Sequence, residues 1–368
     1  MLDWLIIGGG IHGTHVSLVL TQTKRVSLDR VRVLDPYPQA LARWHAVTTN
    51  TGMVYLRSPL THHLHDDQRA LGVFARIHRD APATRFIPTY SRPSLALFNH
   101  HAAYLIDKYR LEALRITGRA HGLTRLTDGW RVETSAGGIA ARRVVLAISQ
   151  SEQPRIPAWA APLIASGAPV QHSFELGFRT ADLPAWQHLV VIGGGITAVQ
   201  TALTLANQHP GSVTLLMRHA PRIHDFDSDP CWMNALCLRD FHKISDYDQR
   251  RAVIQVARHP GSMPADVAAA LNQAVQTGLI QVRTGDVADG TWDGSTVRLH
   301  LGGGETLTPD RVLLATGWAT GRPGGAWLTA AIQQHGLATA ADGFPLIDGA
   351  LCWAPGLYVS GALAELEV

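Results

Sequence analysis

The chain has 368 residues, a formal net charge of +3 and a pI near 8.9. That length suits two domains better than one, and 46 % apolar residues supply enough core for both. Of the 32 basic residues only Lys24, Lys108 and Lys243 are lysines, and no basic run is dense enough for a nucleic-acid footprint. Three cysteines with no C-x-x-C pair exclude a disulfide scaffold and a dithiol redox centre. No apolar run approaches 18 residues, and no basic region with a cleavage site opens the chain. The expectation is a cytoplasmic two-domain protein with no membrane partner and a small-molecule substrate. The oligomeric state stays open, with a homo-oligomer among the options.

In chain order, the first elements are a short apolar strand, Trp4–Ile7, a turn Gly8-Gly9-Gly10-Ile11-His12-Gly13, and an apolar helix through Val16–Leu20. A second strand ends at Asp35. Residues 123–148 read as a strand meander with turns at Asp128-Gly129 and Gly137-Gly138, closing on Arg143–Ser149. The design then repeats. Leu189–Ile192 leads into Gly193-Gly194-Gly195-Ile196-Thr197-Ala198, a helix and the strand Val213–Arg218. Residues 280–317 repeat the meander and close on Arg311–Gly317. The strand and turn Gly356–Gly361 have no counterpart in the second copy, so we expect them to return to the first.

The glycines carry the chemistry. In Gly8-x-Gly10-x-x-Gly13 the first permits a tight turn, the second admits a pyrophosphate and the third brings helix and strand together. Asp35, 22 residues after Gly13, can accept ribose hydroxyls. The second loop, Gly193-x-Gly195-x-x-Ala198, is followed by Arg218, with His219 and Arg222 close by. An arginine there attracts a 2′-phosphate that a carboxylate would repel, which points to NADP. Two dinucleotide sites imply a nicotinamide and a flavin, with FAD on the loop that owns the termini.

The late motif Asp310-x-x-x-Leu314-Ala315-Thr316-Gly317-Trp318, followed after four intervening residues by Pro323, resembles that of the class B flavin-dependent monooxygenases. Its details are closest to the N-hydroxylating amine, lysine and ornithine monooxygenases, with Trp in place of Tyr. Trp44-His45, Gly52-Met53-Val54-Tyr55-Leu56-Arg57 and His172-Ser173 echo further segments of that superfamily. Gly361-Ala362 departs from the Gly-Asp of the disulfide reductases.

The resemblance implies an α/β fold of two Rossmann-like domains, three-layer and glutathione-reductase-like, with the NADP domain inserted into the FAD domain. The boundaries are 1–155 and 319–368 for the FAD domain, whose final helix is expected to be missing, and 156–318 for the NADP domain. Gly8, Gly10, Ile11, His12, Gly13, Asp35, Trp44, Met53, Ser360 and Gly361 would then face FAD. Gly193, Gly195, Ile196, Thr197, Ala198 and Arg218 would face NADP, and Thr316 and Gly317 would also take part in cofactor binding. The implied reaction is reduction of FAD by NADPH, followed by transfer of oxygen from a C4a-hydroperoxyflavin, formed with dioxygen, to a small amine-type nucleophile. A reductase or oxidase without oxygen insertion and a non-catalytic dinucleotide-binding protein remain alternatives.

No residue is assigned a certain catalytic role. Arg57 and Trp44 are candidates, Arg57 either for NADP or a substrate carboxylate or for a structural ion pair. Asp227 and Asp229 offer either a counter-ion for an amine or a helix N-cap. The run His62-His63-Leu64-His65-Asp66-Asp67 reads better as a polar loop than as a metal site, because consecutive side chains diverge. No metal is expected.

Overall fold

A computed structural model describes residues 1–78, 85–135, 137–233 and 235–367. The first strand, Leu2–Ile7, is central in a sheet whose parallel neighbours are Val31–Asp35 on one side and Gly137–Leu146 on the other. Alternation along it divides the core. Leu5 and Ile7 face Trp130, Val132 and the helix Gly325–His335, while Ile6 faces Leu18 of the first glycine helix together with Phe98 and Leu105 of the helix Leu95–Lys108. All of these strand residues are at most 4 % exposed.

The strand Leu357–Val359 does come back to this sheet, lying parallel to Gly137–Leu146 with Leu357 opposite Val144. After it Gly361–Ala364 form one 3₁₀ turn.

The second sheet draws its strands from Val170–His172, Leu189–Ile192, Val213–Met217, Gln281–Thr284 and Arg311–Leu314, all parallel. Leu189, Val191 and Leu215 pack on the second glycine helix, Ile196–Gln208, and on the helix Ala265–Gln276. Val190, Leu216 and Leu314 face a separate antiparallel sheet built from Val287–Trp292, Val297–Leu301 and Thr306–Leu307. Helices, parallel sheet and meander make three layers in this module.

The copies differ here. In the first, the meander's last strand runs unbroken into the main sheet. In the second, the turn at Leu307–Arg311 detaches the meander from the strand that follows it.

The repeat holds to the level of single bonds. Gly8 N donates to Leu34 O and Gly193 N to Leu216 O; Ala147 N donates to Ile7 O and Ala315 N to Ile192 O. A Cβ at Gly8 or at Gly193 would stand 2.4 Å from the Ala147 or Ala315 carbonyl oxygen. The third positions diverge. A Cβ at Gly13 would stand 1.7 Å from the Gly8 carbonyl oxygen, whereas the second loop has room for the Ala198 methyl.

Substitution should report this asymmetry. Gly13→Ala is expected to cost about 3 kcal/mol or more, the upper end of over-packing, because the obstacle is backbone. Ala198→Gly should cost only about 0.5–1 kcal/mol, the entropy of a helical glycine. Urea midpoints of the two variants measure the difference.

Candidate functional site

Each glycine loop ends at the first turn of a helix whose N-terminal N–H groups are left free. Gly10 caps Ile11–Leu18 and Gly195 caps Ile196–Gln208, both with extended backbone, no side-chain cap and no acidic residue in the first turn. Leu95–Lys108 and Tyr247–Ala257 are capped by Ser94 and Asp246, whereas Ala42–Thr51, Ala70–Ile77 and Gly325–His335 lack a side-chain cap as the two glycine helices do, so what sets the glycine helices apart is the strand and glycine turn that lead into them. Bare N–H groups at a dipole's positive end suit an anion. The space suits one too, since a Cβ at Gly10 would touch nothing within 4 Å. At Gly195 the nearest atom to such a Cβ is the Gly261 Cα at 3.4 Å, so the chain at Gly261 approaches the second loop closely. The first loop therefore fits a pyrophosphate. The second fits one beside the Gly261–Ser262 segment.

Asp35, expected to meet a ribose, ends the strand Val31–Asp35. Asp35, 8 % exposed, accepts Gly9 N through Oδ2 and Tyr37 N and Arg115 Nη2 through Oδ1. Arg218 leaves the second module's second strand exposed to solvent.

His12 sits in the first loop beside the returning strand. Its Nδ1 lies 3.4 Å from Ser360 Oγ, and its ring bounds the space above Gly361. Desolvation, with His15 adding its charge, pushes the His12 pKa below the usual imidazole range. His12, His15, Gln150, Ser360 and Gly361 line a cavity of about 520 Å³. Arg258 and Glu365, an ion pair at 3.1 Å, line it too, so both modules contribute to its wall.

Trp44, Met53 and Ile11 pack at the edge of one apolar cluster of the first module, with Trp44 Nε1 donating to Asn99 Oδ1. Arg57 is held at the joint between the modules. Its guanidinium donates to the carbonyls of His224, Asp225, Phe226 and Ser262 and to Ser262 Oγ. Asp227 is ion-paired with Arg258, and Asp229 Oδ1 is hydrogen-bonded to His259 Nε2. In the histidine-rich run, His63 Nδ1 and His65 Nδ1 accept the backbone N–H groups of His65 and Asp67, which is turn chemistry.

Thr316 and Gly317 lie where the chain crosses between modules. Thr316 Oγ1 is bonded to His172 Nε2 and donates to Arg155 O, and Gly317 O accepts Arg155 N. Trp318 stacks on Phe174 with centroids 3.7 Å apart, and Arg43 reaches the edge of the pair. Sequence reasoning did not single out Phe174, Arg43 or Arg115. Their partners are too distant in the chain for spacing to signal them.

The family model of the pyridine nucleotide-disulphide oxidoreductases matches residues 2–367, and the chain belongs to that family. Among solved structures, it is similar to the FAD-bound cadaverine monooxygenase of the desferrioxamine pathway from Erwinia amylovora. The identity is 15 %, the TM-score 0.73, and the match covers 100 % of this chain and 89 % of that one. It is likewise similar to an ornithine N-hydroxylase of Kutzneria sp. 744 solved with reduced FAD, NADP⁺ and L-ornithine (15 %, 0.75, 100 % and 94 %). A third is an L-lysine 6-monooxygenase from Pseudomonas syringae (16 %, 0.71, 100 % and 96 %). These likenesses establish the two-module fold. No curated protein matches the chain. No helix among the described residues is long and apolar enough to cross a membrane.

Two buried histidines set a pH dependence. Burial, with Arg43 nearby, holds His172 down to about 4, and burial with a ring of histidines around it holds His101 down to about 3. Unfolded, each binds a proton below its ordinary 6.5, while the folded chain refuses it until these lower values. Stability is therefore complete above pH 6.5 and is lost as pH falls towards 4, by about 2 kcal/mol per histidine at pH 5. Urea unfolding at pH 7 and pH 5 measures this loss, and His101→Leu is expected to remove about half of it.

Proposed function

We propose that the chain is a cytoplasmic FAD-dependent, NADPH-using monooxygenase that acts with dioxygen on a small amine-type nucleophile. One observation carries the reading. Two glycine loops of one design have their first glycines jammed against backbone and bare helix N-termini at their mouths. They also sit in modules that share a cavity wall.

Gly8, Gly10, Ile11, His12, Gly13 and Asp35 would hold FAD, with Trp44, Met53, Ser360 and Gly361 towards its far end. Gly193, Gly195, Ile196, Thr197, Ala198 and Arg218 would hold NADP, with Thr316 and Gly317 behind them. FAD, when bound, supplies the hydride acceptor and the oxygen chemistry.

The chain's own part is positioning and exclusion of water, for which no nucleophilic side chain is required. His12, kept neutral near pH 7 by its surroundings, can donate or accept a hydrogen bond at the cavity wall without bringing a charge. The solved amine hydroxylases that share this fold support the substrate class.

The test is turnover of FAD-loaded protein with NADPH and air against primary diamines and basic amino acids, scoring hydroxylamine and hydrogen peroxide. Hydroxylamine formed in proportion to NADPH consumed is the expected result for at least one amine. Peroxide alone with every amine would make the protein a reductase or oxidase, and failure to take up FAD would end the reading. Arg218→Asp should separately weaken NADPH relative to NADH by about 1–3 kcal/mol, the scale of one hydrogen-bonded charge. Unchanged preference would remove Arg218 from the site.

A further inference from the structure

The dinucleotide pattern leaves its second position free, yet both loops spell Gly-Gly-Gly. The structure gives a reason. A Cβ at Gly9 would stand 2.4 Å from Arg115 Nη1, and one at Gly194 would stand 2.8 Å from His219 Cε1 and 3.0 Å from Nε2. A basic side chain therefore lies across the middle glycine in each module. The two come from different elements. Arg115 opens the strand Arg115–Thr117, whereas His219 follows the strand Val213–Met217. The duplicated part of the design is the seat, not the residue that fills it.

Arg115 is built into its seat. Its side chain is 7 % exposed. Nη2 donates to Asp35 Oδ1 and to Tyr37 O. Nε is buried without a hydrogen bond, with Glu112 Oε2 at 3.5 Å. Nη1, over Gly9, has no hydrogen-bond partner among the described residues. A guanidinium offers five donors in a rigid fork; here Nε is the buried one without a hydrogen bond, while Nη1 is open towards the space at the loop. Asp35 takes only Nη2 of the fork, on the oxygen that also accepts Tyr37 N.

We propose that Arg115 is a binding residue of the first site, recognising the adenosine-diphosphate end of the dinucleotide held there. Nη1 supplies a charge-assisted donor beside the loop, and the pairing with Asp35 keeps that carboxylate from repelling the diphosphate. Gly9 is glycine because the guanidinium needs the space. The proposal rests on the reading of the first loop as the FAD site and adds to it a recognition element that neither the glycines nor Asp35 provide.

Gly9→Ala displaces Arg115 without altering it. The obstacle its methyl meets is the far end of a flexible side chain, and Gly9 is not among the positive-φ glycines. Arg115→Lys keeps the charge and removes the fork. FAD and FMN are titrated into apoprotein by flavin fluorescence, and thermal unfolding of each apoprotein is recorded. Both variants are expected to lose FAD affinity by about tenfold or more, the scale of a charge-assisted contact, with FMN affinity and apoprotein melting unmoved. Gly194→Ala, which disturbs only the second seat, should leave FAD affinity intact.

Unchanged or tighter FAD binding in Gly9→Ala would overturn the proposal, as would equal weakening of FAD and FMN, because Arg115 would then only brace Asp35. If Arg115→Lys does not fold, Gly9→Ala decides alone. Wild-type protein that binds neither flavin would defeat the FAD reading itself, a different failure with a different signature.

Discussion

Two glycine loops on one chain can serve each other only at a fixed separation, and polar bonds from the first module, most of them from one short stretch, set that separation. Asn50, 5 % exposed, donates to Phe178 O and accepts Thr180 N. Thr204, on the second glycine helix, donates to Thr51 O, and Gly52 is bare because Thr204 stands where its side chain would be. Arg57 grips four carbonyls of the second module, and buried Arg92 is paired with Asp266. Buried polar contacts of this kind add little net stability, since desolvation offsets them. They are directional, however, and an apolar seam could slide where these cannot. The second glycine helix thus lies against the helix Ala42–Thr51 in one register, which orients both loops at once.

That constraint gives the Trp44-to-Arg57 stretch a meaning that similarity alone does not. Its Trp and Met contribute to the first module's core edge, while its Asn, Thr, Gly and Arg carry the joint. A cation that could have met a substrate carboxylate instead donates to four carbonyls and one hydroxyl of the second module. The charged wall of the cavity comes from Arg258 and Glu365, in segments remote from that stretch.

What could be read from the sequence follows from how local each cause is. The turn at Gly8 and the close packing at Gly13 were legible because both are decided within six residues. Asp35 was legible by its distance from the loop, and the return of Leu357–Val359 by its lack of a counterpart in the repeat. The seats at Gly9 and Gly194 were visible as letters but not as causes. Arg115 reaches Gly9 across two strands of a sheet, and no periodicity links residues 106 positions apart. The Phe174–Trp318 stack and the Arg57 joint were hidden for the same reason, and so were the contacts with Arg258 and His259 that occupy Asp227 and Asp229.

The late motif shows how a sequence signature can be specific without every letter touching a ligand. Its alanine carbonyl closes over Gly193, as Ala147 does over Gly8, so that letter shapes a glycine turn from behind. Its threonine joins His172 to Arg155, and the next residue's carbonyl takes the Arg155 N–H, so these letters bind the outgoing crossing of the chain to the incoming one. Its tryptophan stacks on Phe174, in the first residues of the inserted module. An inserted domain has two connections rather than one, and they must run side by side for the insertion to sit in a single orientation. The tryptophan at that position offers the stack a larger face than a tyrosine ring would. The motif therefore carries the geometry of the insertion, and through it the alignment of the two loops that the seam at Asn50 and Arg57 fixes from the opposite side.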